Sequence, residues 1–221
     1  MKIINLGAED YHMHSLNYSD GMNTVDEIVK AAGELGLTRI AITDHSQATL
    51  DYYGLAMKNF RQTTRQWVNT HNKTEVIFGI EGDLLTELGD ICDDIQGIPT
   101  EFLILSAHEG VYKGPPQKIT QAYIRAIDRH HKAIKFIGHV HAGFFASTVN
   151  VPEVVKAAND HGIPLELNGS YLGKRGDERN VQQMLERADQ IYVNSDAHTL
   201  YGLQTLRAKC FEYLRKHKLL E

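Results

Sequence analysis

The sequence predicts an α/β protein with mostly parallel strands, arranged either as an α/β barrel or as an open sheet. Short apolar runs rich in β-branched residues alternate with amphipathic stretches along the 221 residues, as in parallel strands joined by right-handed crossovers. A second observation is that side chains able to bind metals follow these runs. Because no repeat and no linker rich in glycine, serine or proline divides the sequence, we expect one domain over residues 1–221.

Seven apolar runs are the predicted strands. They are Asp10–His12, Arg39–Thr43, Val76–Ile80, Phe102–Ser106, Lys135–Gly138, Pro164–Leu167 and Ile191–Asn194. Between Glu81 and Phe102 the alternation weakens, and we expect a hairpin or an irregular loop with at most a short helix there.

Helical patterns lie between the predicted strands. Thr24 and Glu27 have the spacing of a capping box, and apolar Ile28, Val29 and Ala32 follow at helical intervals. A helix therefore begins directly after Thr24. The other predicted helices are Leu55–Thr70, Ile119–Arg129, Pro152–Asp160, Asn180–Ala188 and Leu203–Lys216.

All seven predicted strands end in metal-ligand types of side chain. The carboxyl ends of parallel strands meet at one edge, which is where such proteins hold their active sites. His12 and His14 are two positions apart, so an extended strand points both imidazoles to the same side. The side chains at the seven ends are His12 and His14; Asp44 and His45; Glu81; His108; His139 and His141; Glu166 and Asn168; and Asp196 and His198.

The candidate donors outnumber the three or four protein ligands that one catalytic metal takes. The nine are His12, His14, Asp20, His45, Glu81, His108, His139, Asp196 and His198. Imidazoles beside carboxylates suit Zn²⁺, Mn²⁺ or Fe²⁺ better than Ca²⁺ or Mg²⁺, so we expect two or three such ions with shared ligands. Clustered divalent metals are typical of phosphate-ester hydrolysis, because they activate water and neutralise phosphate oxygens.

Composition and missing motifs argue against other classes of function. A net charge of −5 without a basic block makes a long nucleic acid an improbable partner. No GxSxG, GxGxxG or P-loop sequence is present, and neither Cys92 nor Cys210 stands beside a histidine. Two cysteines without CxxC spacing fit a reducing cytoplasm, and no apolar run approaches the ~18 residues that span a membrane. We find no signal for an oligomeric state.

Seven motifs, in this order, resemble those of the PHP (polymerase and histidinol phosphatase) family: YHMHSLNYSDG, RIAITDHS, FGIEGD, LILSAH, FIGHVH, LELNGS and NSDAH. The resemblance runs from about Asp10 to His198. It implies a distorted (β/α)7 barrel with a di- or trinuclear metal site at the carboxyl ends of the strands. It also implies a cytoplasmic phosphatase, in which a metal-activated water attacks a small phosphomonoester such as histidinol phosphate, a compound of histidine biosynthesis.

The resemblance implies three metal sites. His12, His14, Glu81 and Asp196 would hold the first ion; Glu81, His108 and His139 the second; and Asp20, His45 and His198 the third. We take Glu81, His139 and Asp196 as the catalytic residues among these ligands. Lys174 and Arg175 are candidates for binding the substrate phosphate. Asp44, Glu166 and His141 are expected to support the ligands rather than to bind metal.

Two alternatives to a small-molecule phosphatase stay open. A nucleotide or oligonucleotide phosphoesterase would use aromatic residues beside the metals, and four tyrosines lie near the motifs: Tyr11, Tyr52, Tyr53 and Tyr171. A non-catalytic metal-binding PHP module would be expected to lack ligands. Every expected ligand position holds a competent donor, which favours an enzyme.

Overall fold

The computed structural model describes residues 1–55 and 58–220, in which strands and helices alternate. The strands are β1 (Lys2–Ile3), β2 (Glu9–Asp10), β3 (Arg39–His45), β4 (Glu75–Leu84), β5 (Ile91–Cys92), β6 (Asp94–Ile95), β7 (Ile98–Pro99), β8 (Leu103–Ser106), β9 (Ile134–Ile137), β10 (Leu165–Asn168) and β11 (Gln190–Asn194). The helices are α1 (Val25–Glu34), α2 (Gln47–Tyr53), α3 (Phe60–Gln66), α4 (Ile119–His130), α5 (Val151–Asp160), α6 (Glu178–Arg187) and α7 (Leu200–Lys216).

Seven parallel strands form a curled sheet in chain order: β2, β3, β4, β8, β9, β10 and β11. The two ends of this sheet meet at the carboxyl side, where Met13 pairs in parallel with Ala197. The His14 amide donates to the Ala197 carbonyl at 2.9 Å, and the Asp196 amide donates to the His12 carbonyl at 2.8 Å. At the other side, β1 pairs with β11 instead of β2. The predicted distorted barrel of seven β/α units is confirmed.

The capping box at the start of α1 is also confirmed. The Thr24 amide donates to Glu27 Oε2 at 2.8 Å, and the Glu27 amide donates to Thr24 Oγ1 at 3.3 Å. The helix begins at Val25, as the spacing predicts, and its buried face packs in one cluster with Met13 and Ile40 at the first two barrel strands. The capping residues thus determine where α1 starts, and its apolar stripe determines how it docks.

The helix predicted over Leu55–Thr70 is wrong at both ends. Only α3, Phe60–Gln66, is helical within it, and residues 56 and 57 lie outside the described residues. Trp67 ends α3 in an extended conformation, with its ring 5.6 Å from that of Phe78 and its Nε1 donating to Asp26 Oδ1 at 3.1 Å. Tertiary packing of this one large ring therefore outweighs the helical pattern around it. The sequence also missed α2, which buries only Thr49 and Leu50 and so shows no repeating apolar stripe.

The segment between Glu81 and Phe102, predicted to be a hairpin or an irregular loop, forms two short antiparallel strand pairs. Strand β4 continues to Leu84, and β5 returns antiparallel to it. Strands β6 and β7 then pair around a turn in which Gln96 and Gly97 both have positive φ. This unit adds no helix to the barrel wall, which accounts for the distortion.

Inward-facing side chains divide the barrel interior into an apolar floor and a polar top. The floor holds Tyr11, Phe102, Phe136 and Tyr192, whose neighbouring rings lie 4.7–6.2 Å apart. Alternation along the strands then places polar side chains above these rings, at the carboxyl ends. Within the described residues, no helix is both long enough and apolar enough to span a membrane.

Candidate metal centre

The polar top of the barrel brings together all nine donors predicted from the sequence. His45 ends β3 and Glu81 lies in β4, whereas the other seven stand in the loops that follow β2, β8, β9 and β11. Seven of the nine are buried, and the side chains of Asp20 and His198 are 43% and 34% exposed. The cluster is therefore open to solvent on the side of Asp20 and His198.

Glu81 lies at the middle of the cluster. Its Oε1 is 2.6 Å from His139 Nε2, and its Oε2 is 2.9 Å from His45 Nδ1. The Nε2 atoms of three further histidines lie within 3.6 Å of its carboxylate: His12, His14 and His108. One carboxylate facing five imidazoles has the position of a bridging ligand.

Two further carboxylates face the imidazoles on the open side. Asp196 Oδ1 lies 3.2 Å from His14 Nε2 and 3.6 Å from His198 Nδ1. Asp20 Oδ1 lies 3.2 Å from His198 Nε2 and 3.4 Å from His45 Nε2. Asp20 and His198 thus form one side of the cluster with His45, the grouping that the resemblance implies for a third ion.

Three groups of donor atoms, each within 4.8 Å of one another, could hold a metal ion. They are His14, Asp20, His45 and His198; His12, His14 and Glu81; and His45, Glu81 and His108. His14 and His45 each belong to two groups, whereas the resemblance gives each of them one ion. His139 and Asp196 contact these groups without belonging to one. The exact division of ligands among ions stays a prediction.

Unpartnered atoms in the cluster fit a bound cation. Five buried atoms have no partner with hydrogen-bond geometry among the described residues, although several of them face one another at short distance: His12 Nε2, His14 Nε2, His45 Nδ1, Glu81 Oε2 and Asp196 Oδ1. Burial of a polar atom without a partner is costly, and coordination of a metal would satisfy all five. Their nitrogen and carboxylate chemistry suits a divalent transition metal.

The histidines of the cluster differ in the direction of their pKa shifts. Burial, with His198 and His45 nearby, lowers the pKa of His14 to about 3, so this imidazole is neutral and able to bind metal. Burial also acts to lower the pKa of His12, but Glu166 and two further carboxylates raise it well above its usual value. A divalent cation would compete with that proton, so metal binding releases protons and is favoured as pH rises.

Two buried carboxylates contact imidazoles of the cluster on the side away from Glu81. His12 Nδ1 lies 2.9 Å from Glu166 Oε1, and His108 Nδ1 lies 2.7 Å from Asp83 Oδ1. Each contact directs the Nε2 atom of its imidazole toward Glu81. Glu166 was expected in this role, whereas Asp83 was missed. Asp83 lies two residues after Glu81 in the FGIEGD motif, a spacing that places both side chains on one face of β4. This spacing was the sequence signal from which Asp83 could have been found.

Glu166 also holds the backbone beside the cluster. Its Oε2 accepts the His139 amide at 3.1 Å and Asn168 Nδ2 at 2.9 Å, while its Oε1 accepts Asn194 Nδ2 at 2.8 Å. His139 has a φ of 20°, and Asp196 a φ of 54°. Such conformations persist only where the surroundings impose them, so the network fixes these two donors at a cost in strain.

Asp44 and His141 lie behind the cluster, as expected from the sequence. Asp44 accepts the Ser15 amide at 2.6 Å and the Ser15 hydroxyl at 2.7 Å, which fixes the start of the loop that carries Asp20. His141 is buried and its Nε2 accepts the Asn168 amide at 3.2 Å.

A cavity of about 200 Å³ opens over the cluster. Arg175 lines it, with the guanidinium 5.1 Å from the centre of the Tyr171 ring, whereas Lys174 lines only an adjoining surface depression, which Arg175 also lines. The structure thus places only one of the two predicted phosphate-binding residues at the cavity. The sequence did not single out three other lining residues, Thr49, Phe144 and Ser170, because loop direction decides which side chains reach the cavity. Tyr11, one of the four tyrosines near the motifs, lies in the apolar floor of the barrel and does not line the cavity.

Comparison with known proteins agrees with this architecture. A probable phosphatase of Shewanella amazonensis is 28% identical over 203 residues, covering 88% of this chain and 78% of that protein. The DNA polymerase/3′-5′ exonuclease PolX of Bacillus subtilis is 25% identical over 218 residues, covering 94% of this chain but 37% of that protein.

A solved structure shares the fold. It is histidinol phosphate phosphatase from Lactococcus lactis, complexed with zinc, L-histidinol and phosphate, with a TM-score of 0.55 and 18% identity over 91% of this chain and 93% of that one. Residues 10–138 match the family model of the PHP domain. Because this match spans more than half of the 221 residues and includes six of the nine clustered donors, the chain belongs to the PHP domain family.

Proposed function

We propose that this protein is a metal-dependent phosphatase that hydrolyses a small phosphomonoester, with histidinol phosphate as the first candidate. The observation that carries the proposal is the cluster of nine donors, seven of them buried, beneath a cavity that Arg175 also lines. The relative named as a probable phosphatase supports the reaction class. The solved neighbour that binds L-histidinol and phosphate supports the candidate substrate.

The proposal includes two or three divalent ions, Zn²⁺, Mn²⁺ or Fe²⁺, held by the nine donors. Zinc in the solved neighbour and the unpartnered buried atoms support this. When bound, such ions activate a water and neutralise the oxygens of the phosphate. A cytoplasmic location is proposed as well, on the ground that Cys92 and Cys210 are both free thiols.

The residues of this chain would bind and orient the substrate. The Arg175 guanidinium would donate hydrogen bonds to phosphate oxygens, because Arg175 is the one arginine or lysine among the described residues of the cavity wall. Asp196, whose Oδ1 has no hydrogen-bond partner among the described residues, would accept a hydrogen bond from the attacking water. His139 would keep Glu81 in place through the contact at 2.6 Å.

Phosphate release from a substrate panel tests the proposal. The panel contains histidinol phosphate, nucleoside monophosphates, glycerol 1-phosphate and phenyl phosphate, assayed with Mn²⁺ or Zn²⁺ and again after chelation. We expect release from at least one compound, lost on chelation and in His139→Ala. A folded, metal-loaded protein that releases phosphate from none of them would contradict the proposal.

A nucleotide phosphoesterase is the second candidate. It is favoured by Tyr53 and Tyr171, which both line the cavity and present aromatic surface there, and by the relative named as an exonuclease. A non-catalytic module is disfavoured, because all nine expected positions hold competent donors.

A further inference from the structure

Two adjacent tyrosines stand exposed at the rim of the cavity. Tyr52 and Tyr53 end α2, and their side chains are 52% and 60% exposed. Tyr53 lines the cavity together with donors of the cluster such as His45 and Glu81. A large aromatic surface is thus kept in solvent directly beside the predicted metal site.

Local contacts hold this aromatic surface in place. The two rings lie 4.8 Å apart at 82°, and Lys113 Nζ lies 5.1 Å from the centre of the Tyr52 ring. Lys113 Nζ also donates to the Gly110 carbonyl at 2.8 Å. A Cβ on Gly110 would lie 2.3 Å from the Tyr52 ring, so the ring packs against bare backbone. Tyr52 therefore supports Tyr53 from behind and leaves it free to contact a ligand.

Charge at the rim favours a ring that itself carries no positive charge. Lys113 and Arg175 are cations near the cavity, and each lies over a tyrosine ring. Among the described residues, the carboxylates that line the cavity are Asp20, Glu81 and Asp196, and all three belong to the predicted metal cluster. An uncharged ring attached to a phosphate matches this combination of aromatic and cationic side chains.

We propose that Tyr53, supported by Tyr52 and Lys113, stacks against a planar ring carried by the alcohol part of the substrate. This inference rests on the proposed function and deepens it, since it restricts the substrate to phosphomonoesters with an aromatic ring. The ring can be a nucleobase or an imidazole, and the two are separated by the experiment. Stacking of this kind tolerates different rings because each has a π-face.

Steady-state kinetics with matched substrates test the inference. Tyr53→Leu removes the ring and keeps apolar bulk, whereas Tyr53→Phe keeps the ring. We expect Tyr53→Leu to raise KM about tenfold for adenosine monophosphate or histidinol phosphate, equivalent to about 1.4 kcal/mol, without changing kcat. Tyr53→Phe should have KM and kcat values near those of wild type. KM for glycerol 1-phosphate, which has no ring, should not change. Tyr201→Leu is the control, because Tyr201 is 75% exposed on α7 and does not line the cavity.

Equilibrium binding decides the inference independently of turnover. Adenosine and L-histidinol, which carry the two rings without phosphate, are titrated against wild type, Tyr53→Leu and Tyr201→Leu. We expect one of them to bind wild type and Tyr201→Leu alike and to bind Tyr53→Leu about tenfold more weakly. Equal binding of both compounds to all three proteins, or binding of neither, would overturn the inference. If wild type hydrolyses none of the phosphomonoesters but still binds adenosine or L-histidinol through Tyr53, the proposed function is contradicted and the inference about Tyr53 is not.

Discussion

At the scale of single residues, the cluster depends on carboxylates that contact imidazoles from behind. Glu166 is fully buried and accepts hydrogen bonds from four groups around the cluster, among them His12 and the strained His139 amide. A glutamine there can accept fewer of these bonds and leaves a buried partner unsatisfied. The position of His12 and of the His139 backbone therefore depends on this one carboxylate.

Glu166→Gln should weaken metal binding by about 10- to 100-fold, the usual effect of losing a carboxylate that orients a ligand histidine. Titration with Zn²⁺, followed by calorimetry, measures this. Glu34→Gln, a change at an exposed position of α1, is the matched control and should bind like wild type. Unchanged affinity in Glu166→Gln would show that His12 needs no support from behind.

Asp83→Asn should affect a different part of the cluster. Asp83 contacts His108 through Oδ1, and its Oδ2 accepts the hydroxyls of Ser46 at 2.6 Å and Thr49 at 2.7 Å. We expect the variant to retain one metal ion fewer than wild type after gel filtration, as measured by elemental analysis. Retention of the wild-type metal content would argue against a metal ligand role for His108.

Eight of the nine donors could be found from the sequence, because the ends of parallel strands converge at one edge of the sheet, whereas Asp20 lies in a loop ten residues beyond β2. Lys174 and Arg175 could not be told apart in this way. The loop that carries them turns at Gly173, which has a φ of 81°, and only tertiary structure decides which side chain then reaches the cavity. Asp83 was missed for another reason, since the sequence does not show which buried carboxylate faces which imidazole.

At the scale of secondary-structure elements, the predicted start is right for α1 at Val25 and for α4 at Ile119, whereas α6 and α7 begin two and three residues before the predicted Asn180 and Leu203. Thr24, Asp177 and Thr199 each accept a backbone amide at the start of α1, α6 and α7. The end of α3 has a different cause, the packing of the Trp67 ring on Phe78, which depends on strands distant in sequence.

Thr24→Ala should destabilise the protein by about 1 kcal/mol, because the Thr24 hydroxyl accepts the Glu27 amide while the Thr24 amide donates to the Glu27 side chain. The substitution removes the first of these two hydrogen bonds of the capping box. Denaturant unfolding of the metal-free protein measures the free energy of unfolding. Thr24→Ser keeps a hydroxyl in place and should stay within about 0.5 kcal/mol of wild type. An alanine variant as stable as wild type would mean that packing alone places α1.

At the scale of the whole molecule, the cluster joins the first and last strands of the barrel. His12 and His14 follow β2 and Asp196 follows β11, and between them the Met13–Ala197 pair closes the sheet. Metal bound by these donors would hold the two ends of the curled sheet together. The family motifs in the sequence predicted the barrel, but this closure depends on backbone pairing that no local pattern shows.

Metal removal should therefore lower the melting temperature by about 5–10 °C. An ion at about 100 times its dissociation constant stabilises the folded state by about 2.7 kcal/mol, and each kcal/mol shifts Tm by about 2–4 °C for a chain of this size. Differential scanning calorimetry with chelator, and again after adding zinc, measures the change. The difference should shrink as pH falls, because protons compete for the imidazoles. Identical melting with and without metal would contradict this.

Anomalous X-ray diffraction from crystals soaked in Zn²⁺ shows directly whether the clustered donors hold metal ions. We expect two or three anomalous peaks at the carboxyl ends of the strands, at about 2.0–2.2 Å from their ligand atoms, with Glu81 shared between two peaks. Peaks confined to surface histidines, or a single peak that Glu81 does not touch, would contradict this expectation.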